Sequence, residues 1–129
     1  MSALKRVLYI EDDADIREVA TMALELVGGL QLCVCASGSD AVKNGPAFAP
    51  DLILLDVMMP VMDGPTTLAK LRESPELVHT PAVFMTAKVQ PQEVAALRAL
   101  GALDVIAKPF DPMQLASRVA AIFEARGGR

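Results

Sequence analysis

Tryptophan is absent from this 129-residue sequence, tyrosine occurs once and phenylalanine four times. Its core therefore has to be aliphatic, which the 53% apolar content allows without disulfides or a structural metal. Cysteine is limited to Cys33 and Cys35. Their alternate spacing in LQLCVCA sets both on one face of a strand, the pattern of buried, inert thiols rather than of a bridge or a metal site. Positive charge is neither abundant nor clustered: 12 Lys and Arg stand against 16 Asp and Glu, a net charge of -4. That balance excludes a nucleic-acid surface, which needs a basic patch. No apolar run approaches the ~20 residues of a spanning helix. The opening MSALKRVLYI is too short for a signal-peptide core and lacks a small-residue cleavage pattern, so the chain is expected in the cytoplasm. The lone histidine, His79, lies between Val78 and Thr80 and reads as an exposed loop residue, not a relay donor.

What is present is a regular alternation over a single domain with its core from about residue 4 to 125. Short apolar runs occupy 6–10, 30–36, 52–55, 82–85 and 105–107. Four are almost wholly apolar, as parallel strands covered on both faces are. The second alternates, which suits a sheet edge. Helical patterns fill the intervals. Ile16, Val19, Ala20, Ala23 and Val27 form one stripe ended by Gly28-Gly29. Ser37 or Ser39 caps a second helix that stops before Pro50, and Asp63-Gly64 turns into a third over about 65–72. Pro91 opens a fourth carrying Val94, Leu97 and Leu100, closed by Gly101; Leu115, Val119 and Ile122 mark a fifth that frays at Gly127-Gly128. Five strand–helix units predict an α/β fold with a parallel sheet. Right-handed crossovers place every strand C-terminus on one edge, where ligands bind in such folds.

Polar groups gather at that edge. The first run ends in Glu11-Asp12, the third in Asp56, the fourth in Thr86 and the fifth in Lys108-Pro109. Asp13 and Asp15 read as the cap and first-turn charge of the first helix, and Asp51 and Asp63 as turn residues. Carboxylates of Glu11, Asp12 and Asp56 within ~5 Å would repel by about 3 kcal/mol per pair at an effective dielectric near 20. Either a pKa rises or a cation enters. Oxygen donors without His or Cys select a hard ion, Mg²⁺ with Mn²⁺ as a substitute. A carboxylate beside such an ion can attack phosphorus to form an aspartyl phosphate. Lys108 supplies a charge and Thr86 a hydroxyl to the phosphoryl oxygens.

The segments YIEDD (9–13), PDLILLDVMMPVMDG (50–64), FMTAK (84–88) and IAKPF (106–110) resemble the motifs of response-regulator receiver domains, in order and across the whole chain. The resemblance implies a flavodoxin-like, doubly wound five-stranded sheet of order 2-1-3-4-5. It also implies Asp56 as acceptor of a phosphoryl group from a histidine kinase or a phosphotransfer protein. Asp12 and Asp56 would ligate Mg²⁺ with the backbone carbonyl of Met58, and Glu11 would act through a water. Thr86 moves to the phosphoryl group, Lys108 pairs with it, and Lys108–Pro109 is cis. Such a domain catalyses only its own phosphorylation and dephosphorylation and switches the binding of a downstream protein. Three residues before Lys108 the family usually carries Tyr or Phe; here Val105 leaves the aromatic readout without its ring. The switch surface is then expected around Lys88, Val105 and Pro109. The acidic residues of the DNA-binding subfamily's dimer are replaced by Leu103 and Gln114, although Asp104 and Arg118 remain, so a monomer is expected. Met58 and Lys88 flank the path of attacking water. Two other readings are a receiver cut from a longer regulator or hybrid kinase, and a Mg²⁺ phosphatase. Phosphatases of that type carry a second acid two residues after the nucleophile, where this chain has Met58.

Overall fold

Strand side chains alternate between two faces, so a run that is apolar at every position can be buried only with layers on both sides of the sheet. The computed structural model of the chain, which describes residues 3–127, has that arrangement. Strands β1 (Arg6–Ile10), β2 (Gln31–Cys35), β3 (Leu52–Asp56), β4 (Ala82–Thr86) and β5 (Asp104–Ala107) pair in parallel, in the order 2-1-3-4-5. Between and after them run α1 (Ala14–Met22), α2 (Gly38–Phe48), α3 (Gly64–Leu71), α4 (Pro91–Ala99) and α5 (Leu115–Gly127). Val7, Tyr9, Leu52, Leu54, Val83 and Met85 face α1 and α5; Leu8, Ile10, Ile53, Leu55 and Phe84 face α2, α3 and α4. The fold and strand order are those the sequence implied.

The register aligns the functional ends. Ile10 pairs with Leu55, Leu55 with Phe84 and Asp56 with Met85, so Glu11, Asp56 and Thr86 leave the sheet at nearly one level. Thr86 pairs with Ala107, and the Lys108 N–H donates to the Thr86 carbonyl at 2.9 Å. At the opposite end the Asp51 carboxylate accepts from the N–H groups of Lys5 (3.1 Å) and Arg6 (2.9 Å). Asp51 is thus a clamp on the start of β1 as well as a turn residue.

The expected helix boundaries hold with small shifts, apart from the fraying expected at Gly127-Gly128, where Gly128 lies outside the described residues. Ser37 caps α2 by accepting from the Asp40 N–H, and Asp63 caps α3 by accepting from the Thr66 N–H. Gly101 closes α4 at φ 102°, a conformation in which any Cβ is strained. Cys33 and Cys35 are free thiols on the edge strand, Cys33 half-buried and Cys35 buried. Burial pushes the Cys35 thiol up to about 12, an unreactive state.

Two members of the α1 stripe were misassigned. In α1 the stripe expected to pack inward included Val19 and Val27, yet these are 44% and 50% exposed. Ala20 and Ala23 of the stripe are buried as expected, joined by Leu24, which the stripe left out. The helix continues past Met22 as a π-helical turn over Ala23–Val27, whose wider winding carries Val27 out of the 3.6-residue stripe; Val19 lies before that turn, on the outer side of α1. Leu100 of the α4 pattern is likewise exposed. Leu24→Ala should therefore cost about 2–5 kcal/mol of stability. Val19→Ala should cost under about 1 kcal/mol. Urea unfolding measures both, and equal losses would contradict this burial pattern.

Candidate functional site

Each contributor to the site is fixed by a different local device. At the end of β1 the Glu11 N–H donates to the Cys35 carbonyl at 3.0 Å, and the Glu11 side chain is wholly buried. Asp12 follows with an exposed side chain. Asp13 is occupied as the cap of α1, its Oδ1 accepting from the N–H groups of Asp15 and Ile16, each at 3.0 Å. The acidic pair of the site is therefore Glu11 and Asp12. At the end of β3, Asp56 is 4% exposed. Gly64 packs against its backbone so closely that a Cβ there would lie 2.3 Å from the Asp56 carbonyl oxygen. At the end of β4, Thr86 is buried, and its Oγ1 accepts from the Lys88 N–H at 3.1 Å.

Lys108 reaches back from β5. Its Nζ donates to Asp56 Oδ1 at 2.9 Å and to Glu11 Oε1 at 3.1 Å. One carboxylate oxygen from each of Glu11, Asp12 and Asp56 lies within 4.8 Å of the others. Burial raises the pKa of Glu11 above its usual 4.5, the Asp56 charge adds to the rise, and the Lys108 hydrogen bond opposes it. Burial works against the charge of Lys108, but its bonds to Asp56 and Glu11 outweigh that and raise its pKa. Three carboxylates and one ammonium leave about two negative charges when all are ionised, a balance that one divalent cation closes. The donors are all oxygen, so a hard cation fits.

The remaining expected residues fall as follows. Met58 lies in the loop after β3 with its side chain exposed, and among the described residues no hydrogen bond engages its carbonyl. In the same loop Val61 is fully exposed at φ 69°, a left-handed conformation that costs a β-branched residue about 1–2 kcal/mol. Lys88 and Pro109 are exposed. Val105 is only 6% exposed and packs inside the layer below α4, so it offers a partner no surface of its own. Lys108–Pro109 is cis. His79 is exposed.

Two supporting residues were missed. Gly64 was read only as a turn, although its real constraint is the backbone of Asp56. Arg17 was not singled out at all. Its Nη1 donates to the carbonyls of Glu11 (2.9 Å) and Asp12 (3.2 Å). The only sequence signal was an Arg one turn into α1, which resembles any surface residue.

The buried acid gives a pH test in metal-free protein. A carboxyl whose pKa is raised by folding binds its proton more tightly in the native state, so stability falls as pH rises from the unfolded pKa toward the folded one. Glu11→Gln has no such proton to lose and keeps an oxygen for Lys108. Its stability should gain on the unsubstituted protein as pH rises above 4.5, with the advantage fading toward acid. Urea unfolding in a chelating buffer across that range measures the difference; a constant gap would contradict the raised pKa.

The sequence pattern of the family described as "Response regulator receiver domain" matches residues 7–120. The DNA-binding response regulator MtrA of Mycobacterium leprae is 36% identical over 117 residues, 91% of this chain and 50% of that protein. The chain spans about half the length of the curated relatives it matches. The chemotaxis response regulator CheY4 of Vibrio cholerae superposes with a TM-score of 0.84 at 27% identity, covering 92% of this chain and 98% of that one. The signal receiver domain of a histidine kinase from Syntrophus aciditrophicus does so with a TM-score of 0.78 at 32% identity, covering 94% and 91%. With its motifs at the ends of the strands in the same fold, the chain belongs to the response-regulator receiver domain family.

Proposed function

We propose that Asp56 is the phosphoryl acceptor of a two-component signalling receiver, loaded by a histidine kinase or a histidine phosphotransfer protein. The observation that carries this is the Asp56 carboxylate, almost enclosed, bonded to Lys108 at 2.9 Å and crowded by two further acids. In the transfer an Asp56 oxygen attacks phosphorus, the P–N bond of the phosphohistidine breaks, and the imidazole leaves with the electron pair. Phosphoryl transfer needs positioning and charge neutralisation above all. Asp12, Asp56 and the Met58 carbonyl would hold Mg²⁺, with Glu11 acting through water, and an ion there would supply neutralising charge to the phosphoryl oxygens. Lys108 turns from Glu11 to the new phosphate, a stronger multi-oxygen partner. The chain is not an enzyme toward other molecules, and a cytoplasmic place fits a receiver in which no described helix is long and apolar enough to cross a membrane.

The switch starts at Thr86. Its hydroxyl holds the Lys88 N–H, so drawing Thr86 toward a phosphoryl oxygen loosens the loop into α4 directly. Val105, short and stiff at χ1, does not swing outward. The downstream protein therefore reads the exposed 88–90 loop and the start of α4, with Pro109 at the margin. Because the curated relatives are about twice as long as this chain, a second reading is the receiver portion of a longer DNA-binding regulator.

The phosphoryl donor needs a surface next to Asp56, and an apolar groove runs from there. Ile16, Val19, Pro109 and Phe110 line its upper part beside Lys108. Met22, Leu26 and Met113 continue it along α1. We place the donor in this groove, since it is continuous with the site and lined almost wholly by apolar atoms.

Acetyl phosphate with Mg²⁺ should add one phosphoryl mass to the protein and none to Asp56→Asn; mass spectrometry decides, and unchanged labelling of the variant would refute the acceptor. Leu26→Glu should leave acetyl phosphate labelling intact while slowing transfer from a partner histidine kinase roughly tenfold, the scale of one interface anchor. Equal transfer rates would remove the groove from the docking surface.

A further inference from the structure

Arg17 is charged, partly buried and placed on the first turns of α1, yet it makes no ion pair with the acids beside it. Its guanidinium instead grips backbone. The Glu11 and Asp12 carbonyls both accept from Arg17 Nη1, at 2.9 and 3.2 Å. Among the described residues these two carbonyls have no other hydrogen-bond partner. The Arg17 N–H also donates to the Asp13 carbonyl at 2.9 Å, so one residue holds three successive carbonyls of the acidic segment. Around that segment the constraints are few: the Glu11 N–H is tied to β2, and the Asp13 N–H leans on Glu11 Oε2 at 3.3 Å. Asp12, the exposed member of the cluster, has no hydrogen bond to its carboxylate among the described residues. Its aim toward Asp56 is set by its backbone alone.

We propose that Arg17 is a positioning residue that presets the Glu11–Asp12 backbone for cation binding, and so sets the metal affinity of the receiver. This rests on the reading of the acidic cluster as a cation site. Two effects of the guanidinium oppose each other. Its charge near the carboxylates repels an entering cation. Its grip on the carbonyls keeps Asp12 in the binding geometry, and residues that orient ligands in this way are typically worth roughly 10- to 100-fold in metal affinity. The charge is spread over a planar group already neutralised in part by two carbonyl dipoles, so the grip dominates. Lysine cannot reproduce it, because one ammonium lacks the rigid planar group that spans both carbonyls.

Direct titration of the unphosphorylated protein with Mn²⁺, followed by electron paramagnetic resonance of the free ion, tests the proposal without any phosphoryl chemistry. Arg17→Ala should weaken Mn²⁺ binding roughly tenfold or more. Arg17→Lys, which keeps the repelling charge but cannot span both carbonyls, should bind Mn²⁺ no more tightly than Arg17→Ala. A second readout separates positioning from general loosening: the Mg²⁺ concentration for half-maximal acetyl phosphate labelling should rise in both variants, while the labelling rate at saturating Mg²⁺ stays close to the original. Unchanged or tighter Mn²⁺ binding in a folded Arg17→Ala protein overturns the proposal, because the repulsive charge would then be the dominant effect. A fall in the saturated rate with unchanged Mn²⁺ affinity overturns it too. If Arg17→Ala does not fold, Arg17→Lys decides: Mn²⁺ affinity equal to the original refutes the role. Failure of the unsubstituted protein to accept phosphate on Asp56 would refute the functional reading instead and leave the Mn²⁺ comparison intact.

Discussion

Carboxylate oxygens from three residues within 4.8 Å of one another are a repulsive arrangement that folding alone does not favour. Lys108 makes it tolerable. By bonding both Asp56 and Glu11 it supplies a positive charge inside the cluster, and the deficit of about two charges that remains is one a divalent cation would close. On the proposed function, the ammonium that spans the two carboxylates is also placed to meet a phosphate on Asp56. Thr86, Gly64 and Arg17 all serve this cluster: one waits beside it, one lets the backbone of Asp56 approach α3, and one holds the acidic turn.

The parallel sheet is what makes so dense a site possible. Strands buried on both faces carry no polar side chains along their length, so their polar residues are expelled to the ends. Parallel pairing with right-handed crossovers then brings the C-terminal ends to a single edge. The central strands β1, β3 and β4 are paired on both sides there, while the segments that follow β3 and β4, 57–63 and 87–90, are loops. The proposed acceptor thus ends a strand and the proposed readout lies on a loop. Between them stands Thr86, whose backbone belongs to β4 and whose hydroxyl belongs to the next loop.

Much of this was legible in the residue order, because strand and helix patterns depend on neighbours within a turn or two. The five strand runs, the caps at Ser37 and Asp63 and the inert pair Cys33 and Cys35 follow from such local rules. The inward stripe of α1 followed only in part: Ala20 and Ala23 are buried, while Val27 is turned out by a π-helical winding that no periodicity reveals. Asp51 read as a turn residue because its clamp on β1 joins residues 45 and 46 positions apart.

The sequence by itself determined the inventory of the site, its order along the chain and the edge of the sheet where it would gather. Which carboxylates cluster, and what holds them, was decided only by the tertiary structure. Lys108 meets Glu11 across 97 positions, and Gly64 is required by a carbonyl of another element. Arg17 shows the same limit at short range: its grip on Glu11 and Asp12 exists because β1 ends and α1 turns back over it. A side chain's partner depends on the relative placement of whole elements, and that placement is set by the packing of two apolar layers rather than by the residues that come to use it.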